Sequence, residues 1–281
     1  MRLAINIPNF GPFEDPHTVV DLARRAEAAG WDGLFIWDHL VFEDGNEVAD
    51  PWVLLTAAAM VTERLVLAPM VTPLPRRRPW VVARQAVSLD RLSDGRLILG
   101  VGIGEPADLD FEIWGEDPDR RVRAAQLDEG LEVITGLWRG EPFRFSGDHY
   151  EVGPVTFLPR PVQQPRIPIW VAGVWPYKRP FRRAARFDGV APLVAADGVF
   201  PAPLTPDRVR LILEYVKVHR GTDDPFDLLA TGPLPDDPAA AADRLVELSE
   251  AGATWWQRGW DPWSGEEPDD FLSVIDAGPP G

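Results

Sequence analysis

Gly33-Leu34-Phe35-Ile36-Trp37-Asp38-His39-Leu40 is the stretch from which the fold can be read. Leu34 to Trp37 is apolar without alternation, the composition of a strand buried on both faces in a parallel sheet covered by helices. Asp38 and His39 then stand at its C-terminal tip. In α/β proteins with parallel strands the loops leaving that tip converge on one crevice, where ligands and chemistry collect. His39 is therefore a candidate for function. The plainer reading is that Asp38 caps the segment that follows and His39 is a satisfied histidine at a strand end.

On both sides of this stretch the chain alternates strand and helix. Leu3 to Ile7 reads as a first strand, followed by a helix from about Thr18 whose apolar positions Val19, Leu22, Ala23 and Ala26 keep helical spacing up to a C-terminal cap at Gly30. After a polar loop from Glu43, Asp50-Pro51 reads as an N-cap with proline at the first helical position, opening a helix to about Thr62. Leu65 to Val71 is strand three, with a helix through Leu92; Leu97 to Val101 is strand four, with a loop to Glu116 and a helix from about Asp119 to Leu137. The rhythm then breaks at a β-hairpin, Phe143 to Val152 with Val155 to Leu158, inside an insertion of residues 140–168. Strands five to eight follow at Ile169–Ala172, Gly189–Leu193, Asp227–Ala230 and Thr254–Gln257. Their helices start at Pro180, at Pro206 after the loop 194–205, at Asp237-Pro238, and at Asp269. Eight such pairs with right-handed crossovers predict a (β/α)8 TIM barrel, an α/β fold with the hairpin inserted between helix four and strand five.

At 281 residues and 45% hydrophobic, one domain over residues 1–281 suffices, because α/β barrels run at about 250 residues. Without cysteine there are no disulfides, thiolate nucleophiles, zinc–cysteine sites or iron–sulfur ligands. The start lacks the apolar stretch of a signal peptide, and no run approaches the ~20 residues of a membrane span, so a soluble cytoplasmic protein is expected. A formal charge of −16 argues against nucleic acid or an anionic membrane as partner. Lys178 and Lys217 are the only lysines, which narrows Schiff-base chemistry to two candidates.

In a barrel the strand tips put Asn9, Asp38-His39, Met70-Val71, Glu105 and Gly173 around one mouth. A histidine and a carboxylate on separate loops suit proton transfer; Glu105 taken alone reads better as a loop cap. Gly100-Val101-Gly102-Ile103-Gly104 fails as a dinucleotide fingerprint, because Glu105 stands where the last glycine belongs. These glycines serve either close approach of a planar ligand or close strand packing. Lys178, Arg179, Arg182, Arg183 and Arg186 surround the start of the fifth helix, and with Pro180 at its first position Lys178 and Arg179 form an anion site. Arg76-Arg77-Arg78 reads as surface. Four histidines in unrelated contexts, His17, His39, His149 and His219, predict no metal site. Trp37 and Trp175, at strand tips, suit a pocket wall.

Ala26-Glu27-Ala28-Ala29-Gly30-Trp31-Asp32-Gly33 running into Trp37-Asp38-His39 opens an ordered series of motifs. Asp50-Pro51-Trp52, Thr62-Glu63-Arg64-Leu65, Leu89 to Arg96, Leu99 to Glu105, Gly147-Asp148-His149-Tyr150 and Ile169 to Gly173 continue it. The series resembles the bacterial luciferase-like flavin and F420-dependent oxidoreductases over residues 1–193; the C-terminal third is shorter than is usual there. The resemblance implies the barrel, a homodimer, and F420 as cofactor with FMN as the alternative. It implies hydride transfer between F420 and a small organic substrate, with His39 and Glu105 as catalytic residues handling the proton. It assigns cofactor contacts to Asp38, Met70, Val71, Gly104, Asp108, Ala172 and Gly173, and phosphate to Lys178 and Arg179. It also implies a non-proline cis peptide joining Met70 and Val71 behind the ring, and Asp108 replaces an asparagine common in that branch. With FMN the same pocket would support monooxygenation. Two rivals are a cofactor-free lyase using Lys178 and a non-catalytic flavin-binding protein.

Overall fold

The computed structural model describes residues 1–42, 45–196, 198–260 and 265–280. Glu43 and Asp44 of the expected polar loop, and Asp197 in the loop 194–205, lie outside the described residues, as does Gly281. The chain runs β1 (Arg2–Ile7), α1 (Pro16–Ala29), β2 (Gly33–Ile36), α2 (Pro51–Ala59), β3 (Val66–Pro69), β4 (Thr72–Pro73), α3 (Pro79–Leu92) and β5 (Leu99–Gly102). It continues through α4 (Ala107–Asp110), α5 (Arg120–Trp138), β6 (Pro142–Ser146), β7 (Glu151–Thr156), β8 (Ile169–Trp175) and α6 (Lys178–Ala184). The remainder is β9 (Gly189–Val194), α7 (Pro206–His219), β10 (Asp227–Thr231), α8 (Pro238–Glu250), β11 (Trp255–Gly259) and α9 (Pro268–Ala277).

Nine parallel strands pair in the order β3-β2-β1-β11-β10-β9-β8-β5-β4. The ends of that series meet: Leu67 bridges Leu97 in parallel, its N–H reaching Arg96 O while its carbonyl takes Ile98 N–H, both at 2.9 Å. The sheet therefore closes into the expected (β/α)8 barrel. β3 and β4 share one barrel position, interrupted by a cis Met70–Val71 peptide.

The helices start where the caps place them. Asp15, Asp50, Asp119, Thr205 and Asp237 each accept backbone N–H groups of the following turn. Gly30 ends α1 with φ 94°, a conformation a side chain resists. Leu, Ile and Val side chains fill the layer between helices and strands. Inside the barrel a separate set, Ala4, Phe35, Ala68, Ile98, Trp170, Leu229 and Trp255, forms a plug. Phe35, Trp170 and Trp255 interlock there at ring separations of 5.6–5.9 Å.

Three expectations change. The hairpin turn lies at 147–150, so Phe143 to Val152 is two strands and not one. A short helix, α4, occupies what reads in the sequence as loop. α6 begins at Lys178 and not at Pro180. Proline suits any first-turn position, since none of those N–H groups has an intrahelical partner, so it does not by itself fix the first one. The hairpin joins α5 to β8 and so stands at the end of the barrel opposite the mouth.

That far end is tied by carboxylates that accept backbone N–H groups. Glu27 takes those of Glu63, Arg64 and Leu65 at 2.6–3.0 Å. Asp90 takes those of Val162 and Gln163, and Glu129 takes those of Asp148, His149 and Tyr150. Among the described residues no helix is long and apolar enough to cross a membrane.

Candidate active site

The tip of β2 carries Asp38 and His39 into the barrel mouth. Asn9, on the loop after β1, fixes the backbone there: its Nδ2 donates to His39 O and Ala49 O at 2.8 and 2.6 Å, and its Oδ1 accepts His39 N–H at 3.1 Å. The imidazole is walled by Phe10, Trp37 and Phe42 at ring separations of 5.4–6.2 Å.

His39 Nδ1 lies 3.1 Å from Asp110 Oδ2, and Asp110 Oδ1 accepts Leu40 N–H and pairs with Arg76 at 2.5 Å. Arg76 also pairs with Asp38 Oδ1 at 2.7 Å, and Arg77 reaches the same oxygen at 2.8 Å. Asp38 and Asp110 side chains are 0 and 1% exposed and Arg76 is 4%. Two carboxylates and two guanidiniums thus balance in a region where an unpaired charge would be prohibitive. Because an ionised carboxylate only accepts, this contact favours a proton on Nδ1, which in the neutral imidazole leaves the lone pair on Nε2. This corrects the reading of Arg76 as surface: it is the bridge between two buried acids.

Sequence reasoning missed Asp110 entirely. It lies five residues beyond Glu105 in a run containing another acid, Asp108, which is exposed on α4. The signal available was a helical turn too short to see. Glu105 is half exposed and pairs with Arg120 at 3.1 Å and Arg123 at 3.4 Å, both on α5. It caps no helix, and the carboxylate in contact with His39 is that of Asp110. Fully buried Arg123 donates to Ile103 O and Gly104 O at 3.1 and 2.5 Å, holding the loop that presents Glu105.

Strand packing accounts for the glycines after β5. A Cβ at Gly100 would stand 2.3 Å from Pro69 O, and one at Gly104, where φ is 81°, would meet Phe111 and Pro73 at 2.7 Å. The backbone here fits closely against the segment carrying the cis Met70–Val71 bond, and Met70 and Val71 are partly exposed beside it.

Across the mouth, Ala172 and Gly173 lie partly exposed on β8. A Cβ at Gly173 would come within 2.4 Å of Pro180, so the glycine lets α6 approach the strand. Lys178 and Arg179 are exposed at the start of α6. Lys178 Nζ sits 3.2 Å from the Trp175 ring centre and 4.6 Å from that of Tyr215. Desolvation by those neighbours pulls its pKa below the ordinary lysine value. Of the rest of the basic cluster, Arg182 donates to the Tyr215 hydroxyl at 2.8 Å, and Arg183 and Arg186 face carboxylates, Asp128 at 2.6 Å and Glu132 at 3.4 Å.

The donor set suits a planar, hydrogen-bonding heterocycle with an anionic tail. Asp38 Oδ2 and Thr72 Oγ1 are buried without a partner among the described residues, polar atoms that a ligand's ring edge can satisfy. Open backbone at Ala172–Gly173 and the two exposed cations of α6 follow on the opposite wall.

A closed α/β barrel with an acid–base pair and a cationic wall at the C-terminal mouth is an enzyme architecture of the kind that binds a cofactor between its loops. The chain belongs to the luciferase-like monooxygenase family, whose sequence profile matches residues 1–272. It is 34% identical over 201 residues to an F420-dependent glucose-6-phosphate dehydrogenase of Nakamurella multipartita, covering 69% of this chain and 57% of that one. The chain spans about half the length of the curated dehydrogenases it matches. Among solved structures, the F420-dependent tetrahydromethanopterin reductase of Methanopyrus kandleri superposes with a TM-score of 0.76 at 20% identity, covering 98% of this chain and 96% of that one. The FMN-containing oxygenating constituent of 3,6-diketocamphane monooxygenase of Pseudomonas putida also gives 0.76, at 15% identity over 99% of this chain and 96% of that one. At these identities the two structures establish the shared fold.

Proposed function

We propose that the chain is an F420-dependent oxidoreductase that transfers a hydride between the deazaflavin and a small organic substrate. The observation that carries this reading is the His39–Asp110 pair beside the Asp38 carboxylate oxygen that has no partner among the described residues, at the tip of the strand next to the one that leads into the cis Met70–Val71 bond. The F420-dependent relatives support the choice of cofactor. F420 supplies, when bound, a carbon centre that accepts or releases hydride.

The protein's own groups then manage the proton and the geometry. Asp110 holds Nδ1–H of His39, which aims the Nε2 lone pair at a proton on the substrate. Arg76 neutralises Asp38 and Asp110 together, and the Phe10, Trp37 and Phe42 rings keep water from the imidazole. Glu105, held at the loop end by Arg120 and Arg123, is the second proton-handling group at the edge of the site. Asp38, Thr72, Gly104 and the Met70–Val71 peptide line the ring site, and Ala172–Gly173 flank the tail. Lys178 and Arg179 hold the phosphate, and exposed Asp108 gives at most a peripheral contact. The same reading makes the protein a cytoplasmic homodimer, with residues 1–281 as one domain and no nucleic acid as partner.

Titration of the protein with F420 and separately with FMN, followed by tryptophan quenching, tests it. F420 binds, and Lys178→Ala weakens it about tenfold, the loss of one charged contact to phosphate. Preference for FMN would move the assignment to a flavin monooxygenase. Cofactor binding with no turnover, unaltered in His39→Ala, would indicate a non-catalytic flavin-binding protein. Binding of neither cofactor would refute the proposal.

A further inference from the structure

The mouth is chemically divided. The acid–base and cationic groups all come from the loops of β2, β3–β4, β5 and β8. Among the described residues of the loops after β9, β10 and β11, 195–196 with 198–205, 232–237, and 260 with 265–267, there is no lysine, arginine or histidine, and the last two loops carry acids. Two arginines reach the loop after β9 from helices, and both are tied to its backbone, Arg208 to Pro203 O at 2.6 Å and Arg244 to Leu204 O at 3.2 Å. Arg258 on β11 is paired with Glu266 and lies over Phe271.

An apolar rim spans the border between the two halves. β5, β8 and β9 are neighbours in the barrel, and their loops carry Ile113 and Trp114, Tyr177, and Val199 and Phe200. Each of these five side chains is more than half exposed. Large apolar side chains gathered at a cavity mouth usually mark a ligand surface.

Beneath the rim the floor is polar but neutral. Ala4, Leu229 and Trp255 point into the barrel, so with a two-residue period Asn6, Thr231 and Gln257 point inward one step nearer the mouth. They share neighbouring strands, since β1 and β10 both pair with β11 and Thr231 is in register with Gln257. Asn6 Oδ1 and Gln257 Oε1 are buried with no partner among the described residues, and Gln257 reaches Thr231 Oγ1 only at 3.5 Å. A buried amide left so is satisfied by a hydrogen-bonding ligand or water.

We infer that the substrate is an uncharged, largely apolar molecule bearing a hydroxyl group, and that a sugar phosphate is excluded. The apolar body lies against the rim and the hydroxyl is received by the Asn6–Gln257 amides. With Lys178 and Arg179 taken by the cofactor phosphate, a phosphate dianion on the substrate would meet acids and, among the described residues of the loops after β9, β10 and β11, no cation to pair with it. The inference rests on the proposed function for its consequence in catalysis and for the exclusion of phosphate, while the preference for the hydroxyl stands on the mouth alone.

Saturation-transfer NMR of the full chain saturated with F420 compares benzyl alcohol, toluene and glucose 6-phosphate, and benzyl alcohol and toluene are compared again without the cofactor. Benzyl alcohol binds, glucose 6-phosphate does not, and Phe200→Ser weakens benzyl alcohol about tenfold, the loss of most of one buried aromatic contact. Gln257→Met brings benzyl alcohol to within about twofold of toluene, because one hydrogen bond sets the difference. Binding of glucose 6-phosphate, silence of benzyl alcohol, or indifference to both substitutions would each overturn the inference. Failure of F420 to bind while benzyl alcohol still binds would refute the cofactor assignment and leave the preference of the mouth intact.

Discussion

Both ends of the barrel use carboxylates to join separate segments, and they do so differently. At the hairpin end Glu27, Asp90 and Glu129 accept backbone N–H groups of a neighbouring segment, so each acts as a clamp between two pieces of chain. At the mouth Asp38 and Asp110 accept from side chains, and one oxygen of Asp38 accepts from nothing among the described residues. The contrast separates acids that hold the fold from acids that prepare a site. A backbone donor is neutral and fixed, whereas an arginine or imidazole partner transmits charge and orientation to the next group.

The largest effect expected is from Arg76→Ala. It leaves two buried carboxylates facing one remaining guanidinium, and unfolding by urea should show a loss of about 3–5 kcal/mol. A loss below about 1 kcal/mol would mean that the network is wetter than its burial implies. Next is His39→Ala, which should keep the unfolding midpoint close to wild type, because Asp110 retains Arg76 and the Leu40 amide. Turnover should fall by about 10²–10⁴-fold, the contribution of a positioned proton carrier. Asp110→Asn sharpens the same point without activity: 15N shifts of the His39 ring should report a protonated Nδ1 in wild type and a mixed tautomer in the variant. An unchanged tautomer would remove Asp110 from the site.

Glu27→Gln tests the clamp end. Burial raises the Glu27 pKa, but the amides of Arg64, Glu63 and Leu65 outweigh it and hold the pKa below the ordinary value of 4.5. Its ionised form therefore stabilises the fold above pH 4.5, and the contribution disappears as pH falls through the folded value. The variant should lose about 1 kcal/mol at neutral pH and nothing in strong acid, with F420 affinity unchanged. The smallest effect is at Asp227, low in the barrel interior. Desolvation raises its pKa above 3.8 despite the Thr254 hydrogen bond and the charge of Arg2. A raised carboxyl contributes stability only below its ordinary value and loses it as pH rises through the folded one. Asp227→Asn should accordingly be slightly more stable than wild type at neutral pH, and equal to it below pH 3.8.

The barrel was legible because its information is local and redundant. Buried strands read as short apolar runs, and Asp50-Pro51, Pro206 and Asp237-Pro238 announce their helices, whereas apolar spacing alone put the start of α1 at about Thr18 and the Asp15 cap starts it at Pro16. The β2 tip was legible for the same reason, since Asp38-His39 ends such a run. Asp110, Arg76 and Arg123 were not, because charge in a sequence reads as exposure. Arg76 and Asp110 are buried by pairing across 34 to 71 residues of chain, and Arg123 by pairing across 18 to 20, between loops that only the closed barrel brings together. Asn6 and Gln257 escaped notice likewise, as polar letters within strands whose inward face is fixed by neighbours.

The Phe35–Trp170–Trp255 plug gives the molecule an optical handle of its own. Trp170 and Trp255 are essentially removed from solvent, 5.6 Å apart and inclined at 71°, a chiral arrangement in which two indole transitions couple. Such a pair produces an exciton couplet in circular dichroism whose sign and size depend on that angle. The couplet would persist through any change confined to the mouth loops and vanish when the barrel opens. Spectroscopy could thus distinguish a damaged site from a lost fold in every substitution named above.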